Sequence, residues 1–116
     1  MLFVSFESDG IYLNGLKVID QKSRIQIAVL KILLERHFFG YINGTHSGVN
    51  ALQLSDVLRK KGFLSIESEK HVRQLIYRIK KNVSEKFGKE ISNDFIKSSQ
   101  NFGQYRLGKN VVLICS

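Results

Sequence analysis

The stretch SEKHVRQLIYRIKKNVSEKFG, residues 68–88, decides how the rest of the chain is read. Val72, Leu75, Ile76, Ile79, Val83 and Phe87 recur at three- and four-residue steps. At about 100° per residue they gather within roughly a third of a helical circumference. The opposite side carries Lys70, Arg73, Gln74, Tyr77, Arg78 and Lys81, and no acidic residue occurs between Lys70 and Ser84. The spacing predicts a helix from about Ser68 to Phe87, stopped by Gly88, with one face for a core and the other unbroken in positive charge and hydrogen-bonding groups. Such a helix suits the major groove of DNA, which admits a helix and is walled by phosphates.

Upstream, the period changes twice. Leu2 to Phe6, Ile11 to Leu13 and Leu16 to Ile19 are short apolar runs separated by Asp9-Gly10 and Asn14-Gly15. Both residues of the second pair tolerate the positive φ of a type I′ turn, so three antiparallel strands are expected over 1–20. From Ser23 to His37, apolar residues cover most of a helical surface, as in a central helix buried on more than one side. Residues 38–48, with three Gly, an Asn and a Thr, read as irregular. Asn50 with Gln53 three residues on forms a capping-box pattern, which opens a second helix over Ala51 to Lys61, with Gly62 as its stop.

Downstream, Ile91 to Ser98 and Gln104 to Leu107 read as strands around the turn Gln100-Asn101-Phe102-Gly103. Val111 to Ile114 reads as a last apolar strand in a covered sheet. The expected organisation is one α+β domain over 1–116: N-terminal strands at 1–20, a three-helix core at 23–87, and a hairpin plus final strand at 91–114.

Composition agrees with a single packed domain: 116 residues, 43% hydrophobic and 24% charged. No apolar run approaches a membrane span, and no secretory leader pattern is present at the N-terminus. The single Cys115 fits a reducing compartment, and one Cys with His37, His46 and His71 matches no zinc-ligand spacing. The net charge is +8. Residues 1–58 hold five basic and five acidic side chains, whereas 59–116 hold thirteen and five. A positive field confined to one half of the chain fits either a polyanion partner, nucleic acid before membrane surface, or a solvated basic face that aids solubility.

Three stretches resemble the winged-helix DNA-binding domain of OmpR/PhoB-type response regulators, shared by ToxR/CadC-like activators. Ile11 to Asp20 is similar to that family's N-terminal hairpin. His71 to Val83 is similar to its recognition helix. Ile96 with Tyr105-Arg106-Leu107 is similar to its wing, although Gly103-Gln104-Tyr105 departs from the family's Gly-x-Gly-Tyr. The resemblance implies a winged helix-turn-helix and a bacterial transcription regulator of the cytoplasm, associated with the nucleoid. Helix 68–87 would enter the major groove of double-stranded DNA, with the hairpin at 98–104 as the wing. Arg73, Gln74 and Tyr77 would read bases. Lys70, Arg78, Lys80, Lys81, Lys97 and Arg106 would hold the backbone, and Gln100, Asn101 and Gln104 would serve the wing. It also implies RNA polymerase as a partner of the second helix and the 62–67 link, and a homodimer on tandem or palindromic half-sites.

Plainer roles stay open for several of these residues. Tyr77 could be a surface aromatic, and Lys80 and Lys81 could only solvate the helix. Asn101 and Gln104 could only make the turn. Phe38, Phe39, Tyr41 and Ile42 could fill core beneath a loop or form a protein-docking patch. No nucleophile–base pair, carboxylate pair or Gly-rich phosphate loop is recognisable, so no enzymatic activity, cofactor or metal is expected. The rival functional readings are an interaction module for RNA or an acidic protein and, more remotely, a small nuclease using His residues.

Overall fold

A computed structural model describes residues 1–43, 48–66, 68–99 and 104–114. Strands β1 (Leu2–Glu7), β2 (Gly10–Leu13) and β3 (Leu16–Asp20) form the expected antiparallel meander. Asn14 at φ 47° and Gly15 at φ 85° make its second turn, the left-handed pair that the Asn-Gly sequence predicts. One face is apolar and sealed: Leu2, Val4, Ile11, Leu13, Val18 and Ile19 are all buried.

Helix α1 (Arg24–Asn43) follows. Ala28, Val29, Leu30, Ile32, Leu33 and Leu34 are buried, so the helix is enclosed on several sides, as its nearly continuous apolar sequence requires. It is longer than its apolar run. Residues 38–43, read from the sequence as irregular, complete it, and Gly40 is carried inside the helix. The side chains of Phe39, Tyr41 and Ile42 lie outside the described residues; Phe38 is 45% exposed.

Strand β4 (Val49–Asn50) leads into α2 (Ala51–Lys60). The capping box is formed in both directions. The Gln53 amide donates to Asn50 Oδ1 at 2.8 Å, and the Asn50 amide donates to Gln53 Oε1 at 3.0 Å. After α2 the chain turns through Gly62 at φ 101°. Buried Ile66 anchors the link, and the Arg59 side chain donates to the Ile66 carbonyl at 2.7 Å. Helix α3 (Glu69–Phe87) then runs as expected, with Val72, Leu75, Ile76, Ile79 and Val83 buried.

The largest correction comes next. Residues 91–95, read as strand, belong to a fourth helix, α4 (Lys89–Phe95). Gly88, at φ 93°, ends α3 and starts α4, a backbone reversal that few residues other than Gly adopt. Ile91 and Phe95, four apart, share the inward side, and Phe95 is completely buried. The core therefore holds four helices rather than three.

Strands β5 (Ile96–Ser99) and β6 (Gln104–Leu107) pair antiparallel, and β4 adds to the free side of β6, in the order β4-β6-β5. Gly108 closes the hairpin against α4: its amide donates to the Phe95 carbonyl at 3.0 Å, and a Cβ there would land on the carbonyl oxygen of Asp94. Strand β7 (Val111–Ile114) returns to pair in parallel with β1, which gives a four-stranded sheet in the order β3-β2-β1-β7. It is an edge strand with one wall exposed, not the covered strand expected. On that edge, His37 Nε2 lies 2.9 Å from the Val111 carbonyl, which can only accept, so Nε2 carries the proton. Among the described residues the fold is α+β, two sheets around four helices.

Candidate nucleic-acid interface

The burial stripe of α3 fixes where its other side chains go. With Val72, Ile76, Ile79 and Val83 sealed against the core, Lys70, Arg73, Gln74, Tyr77, Arg78 and Lys81 are all exposed on one helical surface. Tyr77 is 67% exposed, a large aromatic with no packing duty to account for it. Lys80 differs. It is half-buried at the boundary with α4, and that burial holds its ammonium below the usual lysine range.

Arg73 is not free on this surface. Its guanidinium lies 3.3 Å from the Glu69 carboxylate, one helical turn back, in an exposed pair. Such pairs contribute about 0.2–1 kcal/mol. A bidentate Arg–guanine contact contributes about 1–3 kcal/mol of discrimination, so Glu69 holds Arg73 in place without preventing its transfer to a base.

The second cluster is on the hairpin stem. Lys97 and Arg106 are direct cross-strand partners on β5 and β6. Their neighbours in register, Ile96 and Leu107, are buried, so alternation sends the two cations to the outer face. Like charges directly opposite each other destabilise a strand pair. Among the described residues neither has a carboxylate within ion-pair distance. A polyanion would remove that repulsion. Gln104 is half-buried at the start of β6, opposite Asn50 and Ser99 in register. Gln100 and Asn101 lie outside the described residues, as does His46.

Sequence reasoning missed Lys89 and Asn93. Both are exposed on α4 and line a cleft against α3 that also takes in Tyr77, Lys80 and Lys81. The signal was present as Ile91 and Phe95 at helical spacing, but seven residues offer too little periodicity to outweigh a strand reading. The link before α3 contributes an apolar feature: Leu64 is 80% exposed, and Leu52 on α2 is 53% exposed.

Among the described residues no group of three His, Cys, Asp or Glu side chains is placed to hold a metal ion. No described helix is long and apolar enough to cross a membrane. No protein-family model, curated protein or solved structure shows significant similarity to the chain.

Proposed function

We propose that the protein is a sequence-specific double-stranded DNA-binding transcription regulator of winged-helix type. The observation that carries this reading is the α3 surface: six polar side chains, four of them cationic, exposed along a helix whose opposite face is sealed in the core. Docked in the major groove, the N-terminal half reaches deepest, so Arg73, Gln74 and Tyr77 meet base edges. Arg78 and Lys81 follow where the helix rises toward the backbone. Lys97 and Arg106 on the hairpin stem add phosphate contacts, and the hairpin at 98–104 acts as the wing. The exposed Leu64 and Leu52 give the α2–α3 region a surface for RNA polymerase. A homodimer on tandem or palindromic half-sites would double the read length. The setting is the nucleoid of a bacterial cytoplasm.

Selection from random duplex DNA tests this reading, and a defined motif is expected. On that motif Arg73→Ala relaxes the preference at one base position, with a loss of about 1–3 kcal/mol, while Lys81→Ala weakens all sequences alike. Uniform loss for Arg73→Ala with altered base preference for Lys81→Ala would reverse the docking polarity. Selection that yields no motif, with tight binding to RNA or an acidic protein, would replace the reading with the interaction-module one.

A further inference from the structure

Helices α3 and α4 enclose an open cleft of about 540 Å³. Tyr77, Lys80 and Lys81 of α3 and Lys89 and Asn93 of α4 line it. Among the described residues Glu85 is the one carboxylate that lines it. Among the described residues none of the three lysines has an acidic group within ion-pair distance, Glu85 included. Three lysines thus line one concave site, with no ion pair engaged among the described residues. Lys80 is partly desolvated there, which disfavours its charged form. The walls are fixed relative to each other, because buried Ser92 of α4 donates to the Lys80 carbonyl of α3 at 2.6 Å.

This chemistry selects its ligand. A carboxylate could satisfy one or two of these donors. A lining of three lysines with an amide and a phenol matches a tetrahedral oxyanion with several acceptor oxygens. Lys as a compact point charge suits phosphate from varied directions. The cleft is also continuous with the proposed reading surface, since Tyr77 and Lys81 belong to both. A duplex seated on that surface carries a row of phosphates past it.

We infer that the α3–α4 cleft is a phosphate-binding site that seats one backbone phosphate of duplex DNA between Lys80 of α3 and Lys89 of α4, an inference resting on the reading of α3 as a DNA-contacting helix. It assigns α4 the role of a second wall, which fixes how far α3 slides along the groove.

The test pairs a protein variant with a neutralised phosphate. A single methylphosphonate is moved along the selected duplex, and affinities are measured for the wild type, for Lys89→Gln and for Lys22→Gln as a remote control. The wild type should lose about three- to tenfold at one flanking position. Lys89→Gln should lose a similar factor on the natural duplex whatever its sequence, show a salt slope smaller by about one, and lose nothing more from the methylphosphonate at that position. Lys22→Gln should bind as the wild type does. Unchanged affinity of Lys89→Gln, or equal methylphosphonate penalties for both proteins, overturns the assignment.

Failure of the underlying reading looks different, because selection then yields no motif on which a methylphosphonate position can be defined. Inorganic phosphate titrated against the amide spectrum then decides the cleft. Shifts at Lys80 and Lys89 that vanish in Lys89→Gln keep the phosphate site and overturn its DNA source. No shift at millimolar phosphate overturns both.

Discussion

The hydroxyl of Ser92 donates to the backbone carbonyl of Lys80 across the α3–α4 contact, at 2.6 Å, with Ser92 only 3% exposed. One short side chain therefore ties a seven-residue helix to the middle of the long cationic one. A buried hydroxyl needs such a partner, and a larger side chain would hold the helices further apart.

Ser92→Ala should cost about 0.5–1.5 kcal/mol, the usual net contribution of one hydrogen bond, since the Lys80 carbonyl stays within the helical ladder. Urea denaturation measures it. If the cleft depends on this tie, amide exchange in α4 should quicken more than in α2; uniform exchange across the domain would show that α4 does not depend on it.

Ile76→Asp should remove about 3–5 kcal/mol, because Ile76 is 2% exposed and the new charge would be buried without a partner. That is comparable to the whole stability of a small domain. Lys81→Ala, on the exposed face, should melt within a degree or two of the wild type. Equal melting of the two variants would contradict the helix phase.

Duplex binding should weaken steeply with salt. If about five or six phosphates are neutralised, log K falls against log salt with a slope near −5. Fluorescence anisotropy between low and physiological salt gives the slope. A value near zero would exclude a phosphate-dominated interface.

Acid stability should draw on the β2–β3 surface. The Tyr12 hydroxyl, 2.8 Å from Asp9, and then Lys17 hold the Asp9 carboxyl below its ordinary range. The Lys22 amide and then Lys17 do the same for Asp20. Both carboxylates thus favour the folded state at pH above their unfolded values, near 4, and that contribution is lost as pH falls through their lower folded values. Asp9→Asn with Asp20→Asn should lower Tm slightly at neutral pH, converge with the wild type in acid, and so flatten the fall in Tm below about pH 4. Solvent screening keeps the effect small. Parallel Tm–pH curves for the two proteins would refute it.

Gly108→Ala should cost about 1–3 kcal/mol through overpacking, because its Cβ meets the Asp94 carbonyl rather than a side chain that can swing aside. Thermal melts of this variant beside Gly15→Ala would separate the two causes, since a Cβ at Gly15 meets nothing and only its positive φ resists substitution.

The features legible in the sequence are those that neighbouring residues impose on one another. Asn14-Gly15 needs only its own φ preferences, Asn50 and Gln53 satisfy each other three residues apart, and α3 shows five turns of unbroken period. Features that depend on distant partners were not legible. Val49–Asn50 is a strand only because Tyr105 and Gln104 lie beside it. Residues 38–43 are helical despite Gly40, against their composition. α4 has just one apolar spacing, Ile91 to Phe95, which also fits alternation. The cationic face of α3 followed from the helix phase. The Lys80–Lys89 cleft did not, because it needs a helix that the sequence hid.

The pairing of β1 with β7 sets the order of events in time. Leu2 lies beside Val111, more than a hundred residues away along the chain. As the ribosome delivers the protein, the meander and the first helices emerge while one edge of β1 still lacks its mate. Closing so long a loop before any contact repays it slows the final step. Until then an apolar strand edge is open to wrong partners, which makes crowding of nascent chains a stress particular to this topology.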